Sequence, residues 1–156
     1  MNHTIIPYSP VSIPAQGENV SKTLYAPILD TRLFYQNKET QFSFRSLVDS
    51  GADFCVFPAK FGELIGIFIK EGKEVPTFGV GGREILYFHA IEVGIIINKQ
   101  SWKFQCDAGF SFKMNTKGIG LLGRKGFFDL FAEVAFNQNK RMLRLQGEGT
   151  RNLQTF

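Results

Sequence analysis

Short apolar segments separated by polar or glycine-rich turns recur along this sequence from Thr23 onward. Within several segments apolar and polar residues alternate; Phe42 and Phe44, for example, are separated by Ser43. A period of two places successive side chains on opposite faces of a β-strand. The pattern yields about eight short strands and one or two short helices, which predicts a mostly β fold.

The strands are predicted to form hairpins around polar turns. The predicted pairs are residues 25–35 with 41–48, 75–78 with 84–88, 88–97 with 101–107, and 131–136 with 141–145. Residues 58–65 are predicted to form a helix, because Pro58 suits a first turn and Gly66 suits a C-terminal stop. Residues 108–116 are predicted to be a loop, and residues 120–123 a short buried strand.

The two ends of the chain lack this pattern. Three of the first fourteen residues are prolines, and little periodicity is visible there. We therefore expect residues 1–22 to be an N-terminal arm or tail, residues 23–146 to be a single domain, and residues 147–156 to be a C-terminal tail.

Charge and composition narrow the range of partners. The 156-residue chain has 18 Lys and Arg against 14 Asp and Glu, a net charge of +4. A nucleic-acid binder more often carries a dense basic stripe interleaved with aromatic residues, so we expect no nucleic-acid partner. No run approaches the ~18 apolar residues of a membrane helix and no secretory signal is visible, so we expect no membrane partner.

The two cysteines, Cys55 and Cys106, do not make a disulfide framework. We expect reduced thiols and a cytoplasmic protein, with one structural disulfide as the less favoured alternative.

The segment with the clearest chemical meaning joins an apolar strand to Asp49, Ser50, Gly51 and Ala52. An aspartic peptidase must hold its Asp at a strand end where a tight loop exposes it. A hydroxyl side chain can fix that loop, and glycine permits unusual backbone angles and the close approach of a second loop. Asp-Ser-Gly alone is common in ordinary turns, so the interpretation needs support from elsewhere in the chain.

Two further segments supply that support. Residues 78–82 read Phe-Gly-Val-Gly-Gly, and residues 121–124 read Leu-Leu-Gly-Arg. Together with residues 47–53, Leu-Val-Asp-Ser-Gly-Ala-Asp, their order and spacing resemble the retroviral-type (retropepsin-like) aspartic peptidases, especially the bacterial single-domain members. The resemblance covers residues 24–145. It implies a mostly β, retropepsin-like closed β-barrel, the acid-protease fold, with one or two short helices.

The resemblance also implies a role for each matching position. Asp49 would be the catalytic residue, Ser50 would lock the active-site loops together across a dimer, Gly51 would contact the substrate backbone, and Ala52 and Asp53 would lie at the edge of the cleft. Leu121, Leu122 and Gly123 would support the active-site loop from below, and Arg124 would pair with Asp53. Gly79, Val80, Gly81 and Gly82 would form the flap over the substrate. Viral enzymes usually have Thr where this chain has Ser50, and such departures fit the bacterial relatives.

Peptide hydrolysis by this route needs two carboxyl groups that share one proton, one acting as base on a water and the other as acid toward the carbonyl. The chain has one Asp-Ser-Gly-Ala motif, and Asp30, Asp53, Asp107 and Asp129 are not followed by Ser or Thr and then Gly. The sequence therefore predicts an aspartic peptidase that acts as a homodimer on a polypeptide substrate, with no metal and no cofactor.

Other interpretations of the same residues remain open. A catalytically silent retropepsin-like module would bind peptides, or dimerise a partner, through the same cleft. Separately, Asp53 and Arg124 are compatible with a purely local ion pair, and we expect their role to be structural support more than chemistry. Residues 118–123 also match a dinucleotide-binding glycine pattern, but that pattern needs a preceding strand and a long following helix, which the sequence does not predict.

Overall fold

A computed structural model describes residues 3–14, 21–79, 81–147 and 154–155. Within these residues the chain forms fourteen β-strands, one α-helix and three short 3₁₀ helices. The strands are β1 (Thr4–Pro7), β2 (Ser9–Pro14), β3 (Ser21–Ala26), β4 (Ile28–Tyr35), β5 (Lys38–Glu39), β6 (Phe44–Val48), β7 (Val56–Pro58), β8 (Lys73–Gly79), β9 (Gly82–Ile97), β10 (Gln100–Ser111), β11 (Gly120–Leu122), β12 (Glu133–Asn137), β13 (Met142–Gln146) and β14 (Gln154–Thr155). The helices are α1 (Ala59–Leu64) and the 3₁₀ segments Ile69–Glu71, Lys113–Thr116 and Phe128–Leu130. The predicted mostly β fold is confirmed.

Six of the strands close into a barrel. Around the ring, β10 pairs with β7, β7 with β11, β11 with β6, β6 with β4, β4 with β9, and β9 with β10 again. The pairs β7–β10 and β6–β11 are parallel, and the other four are antiparallel. Closure pairs every barrel strand on both sides, which protects the backbone donors and acceptors from unwanted pairing with another chain.

The sixteen-residue strand β9 serves both the barrel and a projecting hairpin. Its first half pairs with β8, and its second half lies between β4 and β10. It turns into β10 through Asn98 and Lys99, whose φ angles are 50° and 65°. Two consecutive positive φ angles are typical of the tight hairpin turns that match strand twist.

Phenylalanine fills much of the barrel core. The largest fully buried side chains are those of Phe57, Phe104, Phe110 and Phe127. Phe57 meets Phe44 edge to face, with ring centroids 5.9 Å apart, an arrangement that aromatic rings favour. Burial of one such ring contributes roughly 1.5–3 kcal/mol, so these side chains are a main source of stability.

The residues predicted to form an N-terminal arm carry two strands and part of a third. β1 pairs with β13, with Ile6 opposite Leu143, and β13 pairs in turn with β12. Ile6 and Tyr8 belong to the buried core, while β2 and β3 form a separate hairpin. Of the predicted C-terminal tail, β14 pairs with β10. Residues 1–2, 15–20, 148–153 and 156 lie outside the described residues.

Some predicted boundaries are wrong. Residues 108–116 are not a loop throughout, because β10 continues to Ser111 and its last residues pair with both β7 and β9. The predicted strand at residues 25–35 is two strands separated by Pro27, which has no amide hydrogen to donate. Residues 41–43 precede β6 instead of belonging to it.

The predicted helix at residues 58–65 is confirmed as α1, which is one residue shorter at each end. Pro58 is the residue just before the first helical position, and Gly66, with a φ of 86°, follows the helix. Among the described residues, no helix has the length and apolar character needed to cross a membrane.

Candidate active site

The active-site loop, residues 49–53, begins where β6 leaves its pairing with β11. The Asp49 amide still donates to the Leu122 carbonyl oxygen at 3.1 Å, and the Ala52 amide then donates back to the Asp49 carbonyl oxygen at 3.2 Å. The Gly51 amide donates to Asp49 Oδ1 at 2.8 Å, in the kind of turn that a short acidic side chain favours. The end of the strand and this turn together fix the position of the half-buried Asp49 carboxylate.

Gly123 lets a second loop pass directly beneath the active-site loop. A Cβ atom at this position would overlap the Phe54 carbonyl group. One residue later, the Arg124 amide donates to the Ala52 carbonyl oxygen at 2.9 Å. The close approach of the two backbones therefore explains why the Leu-Leu-Gly-Arg segment has glycine at its third position.

Asp53 and Arg124 form an ion pair across the same two loops. The Lys125 amide adds a hydrogen bond to the Asp53 carbonyl oxygen at 2.9 Å. The two charged side chains are 66% and 60% exposed. Exposed ion pairs of this kind contribute only ~0–1 kcal/mol to the free energy of unfolding. The pair therefore aligns the two loops more than it stabilises the fold.

The glycine hairpin predicted to be a flap projects over the active-site loop. Gly79 pairs with Gly82, whose φ of 88° favours glycine. A Cβ atom at Gly79, Gly81 or Gly82 would meet no atom within 4 Å, so the tip is unpacked at these three positions. The fourth predicted flap residue, Val80, lies outside the described residues.

A cleft of about 770 Å³ lies between the active-site loop and the flap hairpin. The predicted site residues that line it are Asp49, Gly51, Ala52, Asp53, Gly79, Gly81, Gly82 and Leu121. The structure thus brings together two segments that are thirty residues apart in the chain, and β11 beside them. The other predicted residues do not line the cleft: Ser50 and Arg124 are exposed, while Leu122 and Gly123 are buried.

Three residues that the sequence analysis did not single out hold the flap hairpin against the cleft wall. Glu84 Oε1 on β9 accepts hydrogen bonds from the buried Ser111 hydroxyl at 2.5 Å and the Lys113 amide at 3.3 Å. The Lys113 ammonium donates to the Arg83 carbonyl oxygen at 2.6 Å and to the Gly81 carbonyl oxygen at 3.3 Å. We name Glu84, Ser111 and Lys113 the flap latch.

One sequence signal could have identified part of the flap latch. Glu84 and Leu86 are two residues apart on β9, so the strand period places both on one face, and both line the cleft. Ser111 and Lys113 gave no such signal, because they fall within residues predicted to be a loop.

The closed barrel, the loop that carries Asp49 and the flap hairpin opposite it define the retropepsin-like fold. Among solved structures, a retropepsin-like aspartic protease from Rickettsia conorii is similar to this chain, with a TM-score of 0.53 and 14% sequence identity. The similarity covers 99% of this chain and 97% of that one. The predicted fold is therefore confirmed. No protein-family model matches the chain, and no curated protein matches it in sequence.

Proposed function

We propose that this chain is a homodimeric aspartic peptidase in which Asp49 from each of two copies forms the catalytic pair. The observation that carries the proposal is the placement of Asp49 at the end of β6, fixed by the Gly51 amide at 2.8 Å and facing a cleft beneath a flap hairpin. The retropepsin-like fold supports the same activity.

The need for a second copy follows from the carboxylates of the cleft. Three of its described lining residues carry one: Asp49, Asp53 and Glu84. Asp53 pairs with Arg124, and Glu84 accepts the hydrogen bonds of the flap latch. Because two carboxyl groups must share a proton, the partner of Asp49 would come from a second copy related by two-fold symmetry.

The surface that this dimer would use includes the outer side of the active-site loop. Ser50 and Gly51 are exposed there, as are the side chains of Asp53 and Arg124. A two-fold axis beside Ser50 would bring the two Asp49 carboxylates together, and it would bury Ser50 and Gly51, which are both small residues.

In the proposed reaction one Asp49 is ionised and the other is protonated. The ionised carboxylate takes a proton from a water, which attacks the peptide carbonyl carbon. The protonated carboxyl group hydrogen-bonds the carbonyl oxygen and supplies its proton as the tetrahedral intermediate forms. No covalent intermediate, metal or cofactor takes part in this route.

The proposed substrate is a polypeptide bound in extended form between the flap hairpin and the active-site loop. Val56, Leu86, Leu121 and Met114 give the cleft apolar walls suited to hydrophobic side chains. A cytoplasmic location belongs to the same proposal, and the free thiols of the described cysteines support it.

The deciding experiment is the Asp49→Asn variant, assayed against a peptide library at mildly acidic pH, where a carboxyl pair readily holds one proton. We expect a loss of cleavage of at least about 10³-fold, because the amide can neither accept the proton of water nor share one with its partner. Asp30→Asn, an exposed position on β4, is the matched control and should retain wild-type cleavage. Full cleavage by Asp49→Asn would disprove the assignment.

A catalytically silent peptide-binding or dimerisation module is the second candidate, because the cleft and its flap would serve binding without chemistry. Under this alternative, wild-type protein cleaves nothing in the library at any pH. Peptide binding, measured by fluorescence polarisation, would then survive the Asp49→Ala substitution.

A further inference from the structure

The two cysteines of the sequence meet beneath the candidate active site. Cys55 directly precedes β7, and Cys106 lies on β10. In this parallel pair Val56 is opposite Gly109, whose amide donates to the Cys55 carbonyl oxygen at 2.9 Å. Extended by one residue, this register makes Cys55 a diagonal neighbour of Cys106, with both side chains on the same face of the sheet.

Both sulfur atoms converge on Gly126. A Cβ atom there would lie 2.5 Å from Cys106 Sγ and 3.2 Å from Cys55 Sγ. Gly126 also has a φ of 102°, in the region that favours glycine. The position thus combines a special backbone angle with the close approach of two thiols.

The pair is polarised by the loop that supports Asp49. The Cys106 thiol and the backbone N–H groups of Gly123 and Phe127 donate toward the Cys55 sulfur and lower the pKa of the Cys55 thiol. The hydrogen bond to Cys55, together with burial, raises the pKa of Cys106 well above its usual range. Gly123 is the residue that lets the second loop pass beneath the active-site loop. The cysteine pair therefore contacts the loop that supports Asp49.

The pair is buried but lies close to the surface. Cys55 is fully buried, whereas Cys106 is 7% exposed and contributes to the walls of two surface clefts. Cys106 is therefore the thiol of the pair nearer to solvent.

We propose that Cys55 and Cys106 are an oxidation site that forms a reversible intramolecular disulfide when the folded protein meets hydrogen peroxide. One thiol attacks the peroxide O–O bond, becomes a sulfenic acid and releases one water. The other thiol attacks that sulfur, the S–S bond forms, and the hydroxyl group leaves as a second water. Overall, two thiol protons and two electrons pass to the peroxide, which becomes two waters. A dithiol reductant converts the disulfide back to two thiols.

The test is the intact mass of the folded protein, measured under denaturing conditions after treatment with hydrogen peroxide. We expect wild type to lose the mass of two hydrogen atoms, to resist a thiol-alkylating reagent, and to recover both thiols with dithiothreitol. Its melting temperature should rise by several degrees, because the link between β7 and β10 restricts the unfolded chain. Cys106→Ala should instead gain oxygen or remain unmodified.

Three results would overturn the proposal: wild type that gains oxygen, wild type that keeps both thiols, or a disulfide that links two chains on a non-reducing gel. Cys55→Ala provides a second variant if Cys106→Ala does not fold. The readout is a mass and not a cleavage rate, so it stands apart from the outcome for Asp49→Asn.

Discussion

The geometry of the candidate site requires glycine at position 123. The Gly123 backbone passes so close to the Phe54 carbonyl group that no Cβ atom fits between them. A neighbouring backbone cannot move aside as a flexible side chain can. The loop that bears Asp49 is thus supported by direct backbone contact.

We predict that Gly123→Ala lowers the free energy of unfolding by about 1–3 kcal/mol, as overpacking in a filled interior does. Gly81→Ala is the matched control, because a Cβ atom at Gly81 would meet nothing within 4 Å. Its effect should stay within about 0.5 kcal/mol. Urea denaturation monitored by circular dichroism gives both values, and equal midpoints for the two variants would contradict the packing argument.

At the same scale, the sequence predicted the position of Asp49 at a strand end and the partnership of Asp53 with Arg124. The first follows from a local pattern, an apolar strand that runs into Asp-Ser-Gly, whereas the second is implied by the resemblance to the retropepsin-like family, because the two residues are far apart in the chain. The flap latch was not predicted, since Lys113 reaches the carbonyl groups of Gly81 and Arg83 only after the hairpin has folded over the cleft. A side chain that binds distant backbone groups leaves no pattern in its own neighbourhood.

The flap hairpin is the element whose position the structure explains most completely. Its tip lacks packing contacts at Gly79, Gly81 and Gly82, so the hydrogen bonds of Lys113, a member of the flap latch, hold it near the cleft wall. An element held mainly by exposed polar contacts opens more easily than one held by buried apolar area.

We predict that Lys113→Met speeds trypsin cleavage after Arg83 several-fold, because the flap tip loses the ammonium donor for two of its carbonyl groups. If the chain is a peptidase, KM for a peptide should also rise several-fold, with a smaller change in kcat. Lys117→Met is the control, since Lys117 lines the same cleft one turn further along. Identical trypsin kinetics for the two variants would show that Lys113 does not hold the flap.

Element types were easier to predict than element ends. The hairpins and the helix α1 followed from apolar periodicity, proline and glycine. The end of β10 did not, because its final residues are buried between β7 and β9, and burial from two sides removes the alternation that marks a strand. The pairing of β1 with β13 was also hidden, because it joins opposite ends of the chain.

At the scale of the whole molecule, the active-site loop lies at the surface of a single chain, and Ser50 is exposed. A specific dimer interface usually buries about 800 Å² on each partner. The proposed dimer therefore requires more than the loop itself, and neighbouring exposed side chains such as Arg124 would take part.

We predict that Ser50→Arg shifts the protein from dimer to monomer and abolishes cleavage while leaving the fold intact. If the proposed two-fold axis passes beside Ser50, the long cationic side chains of the two copies would place like charges together there. Sedimentation velocity measures the shift, and circular dichroism checks the fold. Gln100→Arg, an exposed position at the start of β10, should remain dimeric. A Ser50→Arg dimer of unchanged affinity would place the interface elsewhere.

The continuity of β9 has a mechanical consequence. The first part of β9 is one strand of the flap hairpin and the second part is a strand of the barrel, with no hinge loop between them. Motion at the flap tip must therefore be absorbed as torsion along β9, and that torsion is shared with β4 and β10 through their hydrogen bonds. The stiffness of the flap hairpin therefore depends on the barrel. Substitutions in β4 or β10 will change how readily the cleft opens.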